Sequence, residues 1–214
     1  MLLKRARKVN KLNYHNKLLE IIKTLDYRPR VLLHSCCAPC STYVIDFLVK
    51  YFDITIFFYN PNIEPQEEYL KRKDEQIRFL KEYNNPHVDF LDCDYDNEEY
   101  LKRCKGLENE PEGGARCGVC FNLRLEKTAL MAKEKGYDYF ATTLTVSPYK
   151  NSELINKIGY KLEKKYNIKY LCGDFKKQNG YKRIVDMSKE YNLYRQHYCG
   201  CHFANKGDDE TCVK

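Results

Sequence analysis

An α/β fold, with a mostly parallel sheet and helices on both of its faces, is expected from three features of this 214-residue sequence. Runs rich in β-branched and aromatic residues alternate with amphipathic stretches over 31–166, a pattern typical of βαβ units. Hydrophobic residues make up 43% of the chain, which is enough for a packed core. No apolar run reaches the roughly 20 residues of a membrane-spanning helix. We predict one α/β domain over 1–214, with a basic extension at 1–11 and a loose tail at 207–214.

The elements of the first third follow from periodicity and from the residues that interrupt it. Leucine and isoleucine recur at helical spacing over 12–25, and the apolar run 31–34 then reads as a buried strand. A helix over 42–51 follows, with Ser41 as its N-cap, because serine is a favoured capping residue. The β-branched and aromatic run 53–59 is the second strand.

The remaining elements continue the alternation. A charged helix over 65–83 and a short helix over 96–107 flank a third strand at 88–91. A loop containing proline and glycine leads to a helix over 120–135 and a fourth strand at 139–144. The next helix is expected to start at Ser147. The last elements are a strand at 170–172 and a helix at 181–193. The C-terminal segment beyond them contains cysteines and looks irregular.

The net charge of +7, from 37 basic and 30 acidic residues, is concentrated near the two ends of the chain. Residues 1–11 carry five basic groups and no acid, and residues 161–206 carry eleven basic groups against four acidic ones. This distribution suits a polyanion such as nucleic acid. A solvated surface on a lysine-rich protein would give the same pattern.

Eleven cysteines are the strongest sign of chemistry in the sequence. The basic N-terminal residues precede no apolar stretch, so we expect no secretory signal and a cytoplasmic location. In a reducing compartment, clustered cysteines are more often metal ligands or redox groups than disulfides. We read Cys93 and Cys172 as core thiols, and Cys104 and Cys212 as incidental.

Two C-x-x-C pairs point to a metal. Cys37-x-x-Cys40 and Cys117-x-x-Cys120 together supply four thiolates, which suits tetrahedral zinc or an iron–sulfur cluster. Cys36 is a fifth thiol, for which structural zinc has no use. The first group of cysteines, Cys36, Cys37 and Cys40, follows directly on the first strand. Ligands bind at the carboxyl ends of strands in an open parallel sheet. We expect both pairs at that edge of the sheet.

Two further segments are candidates for function. Cys199-Gly200-Cys201 can close a small, strained and therefore labile disulfide, or can supply two metal ligands or two free thiols. A helix starting at Ser147 would make its first turn, with Lys150, an anion site; an ordinary capped helix is the alternative. The standard ATP- and dinucleotide-binding glycine motifs do not occur in the sequence.

Five motifs occur in a fixed order over about residues 30–203, and together they resemble the QueH type of epoxyqueuosine reductase. The motifs are Leu33-His34-Ser35-Cys36-Cys37-Ala38-Pro39-Cys40-Ser41, Tyr59-Asn60-Pro61-Asn62-Ile63, Arg116-Cys117-Gly118-Val119-Cys120-Phe121, Thr142-Thr143-Leu144 with Ser147-Pro148-Tyr149-Lys150, and Tyr198-Cys199-Gly200-Cys201.

The resemblance implies a cobalamin-independent enzyme that reduces epoxyqueuosine to queuosine at the wobble position of tRNA, the final step of queuosine biosynthesis. It also implies a HUP-like, Rossmann-like fold, a [4Fe-4S] cluster and an additional iron ion. The implied site residues are Cys36, Cys37, Cys117 and Cys120 as cluster ligands, and Cys199 and Cys201 as a redox-active disulfide. Spacing alone favours Cys37 with Cys40; the family ligand set leaves Cys40 for the second iron.

The implied reaction removes an epoxide oxygen as water and takes two electrons and two protons. Its partners would be tRNA carrying epoxyqueuosine and an unidentified electron donor. Asp92, Asp94 and Asp96 are candidate oxygen ligands of the second iron, or solvated loop acids. The candidate tRNA contacts are residues 1–11, Lys150, Lys176, Lys177, Lys182 and Arg183.

Three other readings compete with this one. A non-catalytic tRNA-binding protein with zinc or a cluster explains the C-x-x-C pairs and the basic ends, but not Cys36 or the late cysteine pair. A tRNA-thiolating enzyme would need an ATP loop, which the sequence lacks. A thiol–disulfide oxidoreductase explains Cys37 and Cys40, but has no need for Cys117 and Cys120.

Overall fold

The computed structural model describes residues 12–196 and 198–205. The expected extension at 1–11, the tail at 207–214 and Cys212 lie outside these residues. None of the helices in the described ranges is both long and apolar enough to cross a membrane. The elements in chain order are α1 (Tyr14–Lys23), β1 (Arg30–His34), α2 (Ala38–Leu48), β2 (Asp53–Phe57), α3 (Gln66–Tyr83), β3 (Val88–Leu91), α4 (Asn97–Cys104), α5 (Ala115–Glu134), β4 (Tyr139–Thr142), α6 (Ser152–Tyr166), β5 (Lys169–Tyr170) and α7 (Gly180–Glu190).

The five strands form one parallel sheet in the order β3-β2-β1-β4-β5. The chain runs outward from β1 to β3, then returns to place β4 on the other side of β1. This reversal leaves a crevice outside the carboxyl ends of β1 and β4, the usual position of a ligand site in such sheets. The predicted α/β fold with a parallel sheet is confirmed.

Alternate residues of β1 pack into two hydrophobic cores, one on each face of the sheet. Val31 and Leu33 pack with residues of α2, α3 and α7, whereas Leu32 packs with residues of α4, α5 and α6. All three side chains are fully buried. Burial of each side chain of this size contributes about 1.5–3 kcal/mol to folding. The strand is thus held rigidly from both sides, and so is the loop that follows it.

Two predicted helix starts are too late. Helix α2 begins at Ala38 with Cys37 at the N-cap, so Ser41 is not the cap; its hydroxyl donates to the Ala38 carbonyl at 2.9 Å. A proline in the first turn suits this start, because its missing N–H would be unpaired there anyway. Helix α5 begins at Ala115 rather than at Cys120. Both C-x-x-C pairs therefore lie at helix N-termini.

The helix predicted to start at Ser147 is also wrong. Strand β4 ends at Thr142 and is followed by a 3-10 turn over 143–146, because the Thr142 hydroxyl accepts from the Leu144 amide at 3.1 Å. Ser147 then closes a turn with Lys150, whose amide donates to the Ser147 carbonyl at 3.3 Å. Helix α6 starts only after this turn, capped by Asn151. Lys150 thus lies in a loop and not at a helix start.

Candidate metal centre

Three thiols meet where β1 ends and α2 begins. The Sγ atoms of Cys36, Cys37 and Cys40 all lie within 4.8 Å of one another. This arrangement follows from local geometry, since Cys37 is the N-cap of α2 and Cys40 is in its first turn. Thiolates near a helix N-terminus are stabilised by the helix dipole and are soft metal ligands. This group can hold a metal ion.

The three thiols have unequal acidities because they share hydrogen bonds. Hydrogen bonds from Cys37 and then Cys40 hold the pKa of Cys36 well below its usual range. Burial, with the bond to Cys36, raises the pKa of Cys37 to about 12. Hydrogen bonds with Cys36 and then with Cys37 raise the pKa of Cys40 well above its usual range. Cys36 is therefore the most acidic thiol of the three.

A buried polar frame holds the loop that carries these thiols. The Nε2 atom of His34 lies 3.0 Å from the Tyr59 carbonyl oxygen and its Nδ1 atom lies 3.0 Å from the Thr142 hydroxyl. Burial lowers the pKa of His34 to about 3, so the ring is neutral and Nε2 carries its hydrogen. Asn60 donates to the Ser35 carbonyl at 2.8 Å. The thiols are thus tied to both neighbouring strands.

Cys117 and Cys120 lie in the first turns of α5 and are not members of the three-thiol group. The Gly113 amide donates to Cys117 Sγ at 3.2 Å. Burial raises the pKa of Cys117, and raises that of Cys120 to about 12; repulsion from Cys199 adds to both shifts. The structure therefore brings the second C-x-x-C pair next to the late cysteine pair.

Cys199 and Cys201 face different surroundings. Cys199 lines a cleft that Cys36 and Cys40 also line, whereas Cys201 is buried with its Sγ atom 2.9 Å from the Tyr100 hydroxyl. Gly200 between them has a φ of +93°. The two thiols are not joined in a disulfide in this structure. The redox-active disulfide stays a prediction.

The cleft lies at the carboxyl ends of β1 and β4 and carries thiols, cations and tyrosines on its walls. Lys150 reaches it from the loop after β4. Burial acts to lower the pKa of Lys150, but attraction to Cys199, Cys36 and Cys40 raises it above its usual value. The other main lining groups are Arg72, Arg124, Arg195, Tyr149, Tyr181 and Tyr198.

The predicted basic contacts lie beside the cleft. Lys176 donates to the Lys150 carbonyl at 3.3 Å and pairs with Asp174 at 3.4 Å. Lys182 and Arg183 are exposed on the first turn of α7, whose neighbouring residues line the cleft. Lys177 is exposed as well. The basic segment 1–11 falls outside the described residues.

The three aspartates after β3 are not on the wall of this cleft. Asp92 forms an ion pair with Lys73 at 2.5 Å, and Asp96 caps α4. Asp94 is exposed. The reading of the isolated cysteines as core thiols is confirmed for Cys172, which is fully buried, and for Cys93, which packs against the core. Cys104 is also buried, against Tyr100.

Two arginines of the site were not predicted from the sequence. Arg72 is 2% exposed, bonds to Glu68 at 2.6 Å and donates to the carbonyls of Cys199 at 3.2 Å and Tyr198 at 3.4 Å. Arg124 is 2% exposed and lies one turn after Cys120 on α5. The only sequence signal for either is the four-residue spacing between Cys120 and Arg124, which puts them on one helix face.

Comparison with known proteins gives one consistent result. A family model described as "Epoxyqueuosine reductase QueH" matches residues 31–207. The epoxyqueuosine reductase QueH of Streptococcus pyogenes serotype M1 is 49% identical over 212 residues, covering 95% of this chain and 83% of that protein. The protein of the same name from Staphylococcus epidermidis is 48% identical over 205 residues, covering 92% and 86%. That from Thermotoga maritima is 38% identical over 180 residues, covering 81% and 89%.

Proposed function

This chain belongs to the QueH family of epoxyqueuosine reductases and is an oxidoreductase, and we propose that it reduces epoxyqueuosine to queuosine at the wobble position of tRNA with a [4Fe-4S] cluster. The observation that carries this proposal is the three-thiol group of Cys36, Cys37 and Cys40, two of which line the same cleft as Cys199. A cleft that combines metal-ligating and redox-capable thiols suits electron transfer to a bound substrate.

The residues present fit an iron–sulfur cluster. Such a cluster takes four cysteine thiolates. The group of Cys36, Cys37 and Cys40 offers three, and Cys117 and Cys120 lie in the first turns of α5, whose Arg124 lines the cleft. Two cations, Lys150 and Arg124, line the cleft with Cys36 and Cys40 and would offset the negative charge of a bound cluster. We propose Cys36, Cys37, Cys117 and Cys120 as ligands of the cluster and Cys40 as a ligand of a second iron.

The reaction balances with the chain's own thiol pair. Conversion of the epoxide to an alkene and water takes two electrons and two protons. Oxidation of Cys199 and Cys201 to a disulfide releases two electrons and two protons. The cluster, when bound, supplies a path for single electrons. Lys150, whose pKa lies above its usual value, places positive charge on the cleft wall where negative charge develops on the leaving oxygen.

The surroundings of the cleft support a tRNA substrate. The wobble base lies in a single-stranded loop, so it can enter a pocket without opening a helix. Exposed tyrosine and arginine side chains are the groups that stack on unpaired bases. Tyr149 and Tyr181 line the cleft, and Lys182 and Arg183 lie beside Tyr181 on α7. We propose that these basic residues contact phosphates of the anticodon loop.

Iron content tests the ligand assignment. Protein prepared without oxygen should be brown, should contain iron and sulfide, and should absorb at about 400 nm. Separate alanine variants of Cys36, Cys37, Cys117 and Cys120 should each lose most of the cluster iron. The Cys93→Ala variant is the matched control, because this thiol is half-buried but outside the cleft, and it should keep its iron.

Retention of full iron and sulfide by all four ligand variants would contradict the assignment. A colourless protein that holds zinc, binds tRNA and leaves the epoxide intact would support the alternative of a non-catalytic tRNA-binding protein.

A further inference from the structure

Arg124 is a buried cation that shares the wall of the cleft with Cys36, Cys40 and Cys199. Its Nε atom donates to the Cys120 carbonyl at 3.3 Å, and its Nη2 atom is buried without a hydrogen-bond partner among the described residues. The side chain is 2% exposed and contributes to the wall of the cleft. Burying a guanidinium with an unpaired N–H is unfavourable unless an anion compensates it.

The position of Arg124 indicates which anion this is. Its side chain lines the same cleft as Cys36 and Cys199, and its Nε atom bonds to the main chain of Cys120, a proposed cluster ligand. These thiols come from α5, from the C-terminal segment and from the loop after β1. The guanidinium therefore lies near both segments that supply the proposed cluster ligands, the loop after β1 and the first turns of α5.

We propose that Arg124 compensates the negative charge of the cluster and thereby raises its reduction potential, an inference that rests on the proposed function. A cluster with four thiolate ligands is an anion, and it gains a further negative charge when it accepts an electron. A fixed positive charge beside it stabilises the reduced state more than the oxidised state. Net charge and hydrogen bonds to the sulfurs are the main means by which proteins set these potentials.

Burial separates this role from phosphate binding. A guanidinium that is 98% hidden has little access to a phosphate on the outer rim of the cleft. The exposed groups Lys177, Lys182 and Arg183 are better placed for that contact. Arg124 is accordingly a positioning residue that acts through the cluster and not on the tRNA.

A redox titration of the holoprotein tests the proposal. The cluster-containing wild type is compared with Arg124→Met, which keeps the volume but loses the charge, and with Arg124→Lys, which keeps the charge. Arg103→Met is the matched control, because Arg103 is part-exposed and paired with Glu99 and Glu126 away from the cleft. The reduced cluster is followed by its electron paramagnetic resonance signal.

We expect Arg124→Met to shift the equilibrium about tenfold toward the oxidised cluster, or about 59 mV for a one-electron couple. Arg124→Lys and Arg103→Met should stay close to wild type. If Arg124→Met loses its iron while Arg124→Lys keeps both iron and potential, the charge is again what the cluster needs.

Three results would overturn the inference. One is an intact cluster with an unchanged potential in Arg124→Met. Another is weaker tRNA binding by that variant at an unchanged potential, which would assign the guanidinium to a phosphate. The third is loss of iron from both Arg124 variants, which would assign it to packing. A wild-type protein without iron and sulfide would instead defeat the proposed function itself.

Discussion

Arg72 and Gly200 together determine how the turn with the late cysteine pair is held. Arg72 donates to the carbonyls of Tyr198 and Cys199, and the Gly200 carbonyl accepts from the Glu64 amide at 2.8 Å. These bonds keep Cys199 on the cleft wall and its partner thiol in the core. The geometry is possible because residue 200 has no side chain.

Gly200→Ala is expected to disturb this turn. A Cβ there would lie 2.9 Å from Arg72 Nη1 and 3.0 Å from Ile63 Cγ1, in addition to the strain of a φ of +93°. Gly106→Ala is the control, because its φ is +85° but nothing lies within 4 Å. Both variants should lose about 1 kcal/mol from backbone strain. In addition, an alkylating reagent should label Cys201 markedly faster in Gly200→Ala than in Gly106→Ala. Mass spectrometry locates the label. Equal labelling of Cys201 in the two variants would refute this.

Sequence reasoning reached the cysteines of the site but not its arginines. Arg72 lies in a helix rich in charged residues, and its burial depends on Tyr198 and Cys199, which are more than 120 positions away. Arg124 shares the problem, although its spacing from Cys120 was readable. A buried charge is distinguished from a solvated one only by tertiary contacts, which composition does not reveal.

At the scale of elements, one carboxylate joins three helices on the α5 face of the sheet. Glu126 on α5 accepts from Arg103 of α4 at 2.8 Å, from Lys165 of α6 at 2.7 Å and from Tyr166 of α6 at 2.6 Å. Burial alone would raise the pKa of Glu126, but these three bonds outweigh it and lower the pKa to about 2. The packing of α5 matters for the site because α5 carries the second C-x-x-C pair.

Glu126→Gln should lower the free energy of unfolding by about 1.5–3 kcal/mol at pH 7, the usual range for hydrogen bonds to a charged group. A lowered pKa stabilises the fold above the unfolded value of about 4.3, and this contribution is lost as the pH falls through about 2. The difference in the free energy of unfolding between variant and wild type should therefore shrink from pH 5 toward pH 2. Urea unfolding at several pH values measures it, with the exposed Glu20→Gln as control. A gap that is constant with pH would contradict this account.

The element types and their order were predictable, whereas several helix starts were not. Both misplaced N-caps were serines, at Ser41 and Ser147, which are good caps in isolation. At α2, Cys37 takes the cap because Pro39 already fits the first turn. At α6, Asn151 takes the cap after a turn that only the end of β4 determines. Several residues can serve as a cap, and tertiary packing selects among them.

At the scale of the whole molecule, sheet topology places the chemistry. The parallel alternation predicted that cysteines after the first strand would lie at the carboxyl edge of the sheet, and they do. What the pattern could not give is which thiols touch. Cys36, Cys37 and Cys40 form one group, whereas Cys117 and Cys120 adjoin Cys199. Those distances depend on loops with no periodic pattern.

The basic residues beside the cleft lead to a prediction about tRNA affinity. Neutralising Lys176, Lys177, Lys182 and Arg183 together should weaken tRNA binding and flatten its salt dependence, because binding then releases fewer counterions. Each phosphate contact that is lost should reduce the slope of log affinity against log salt concentration by about 0.7–0.9. Filter binding at several salt concentrations measures both quantities. The control neutralises four exposed lysines outside the cleft, Lys133, Lys135, Lys161 and Lys164. Equal loss of affinity in both variants would show that only total charge matters.

The central claim is that this chain removes the epoxide oxygen of a nucleoside in tRNA, and one measurement tests it most directly. Cluster-containing protein is reduced, separated from excess reductant and mixed without oxygen with tRNA that carries epoxyqueuosine. The tRNA is then digested to nucleosides for mass spectrometry. We expect queuosine, lighter by one oxygen atom, in proportion to the protein added. Unchanged epoxyqueuosine, from protein that holds its cluster and binds the tRNA, would contradict the account.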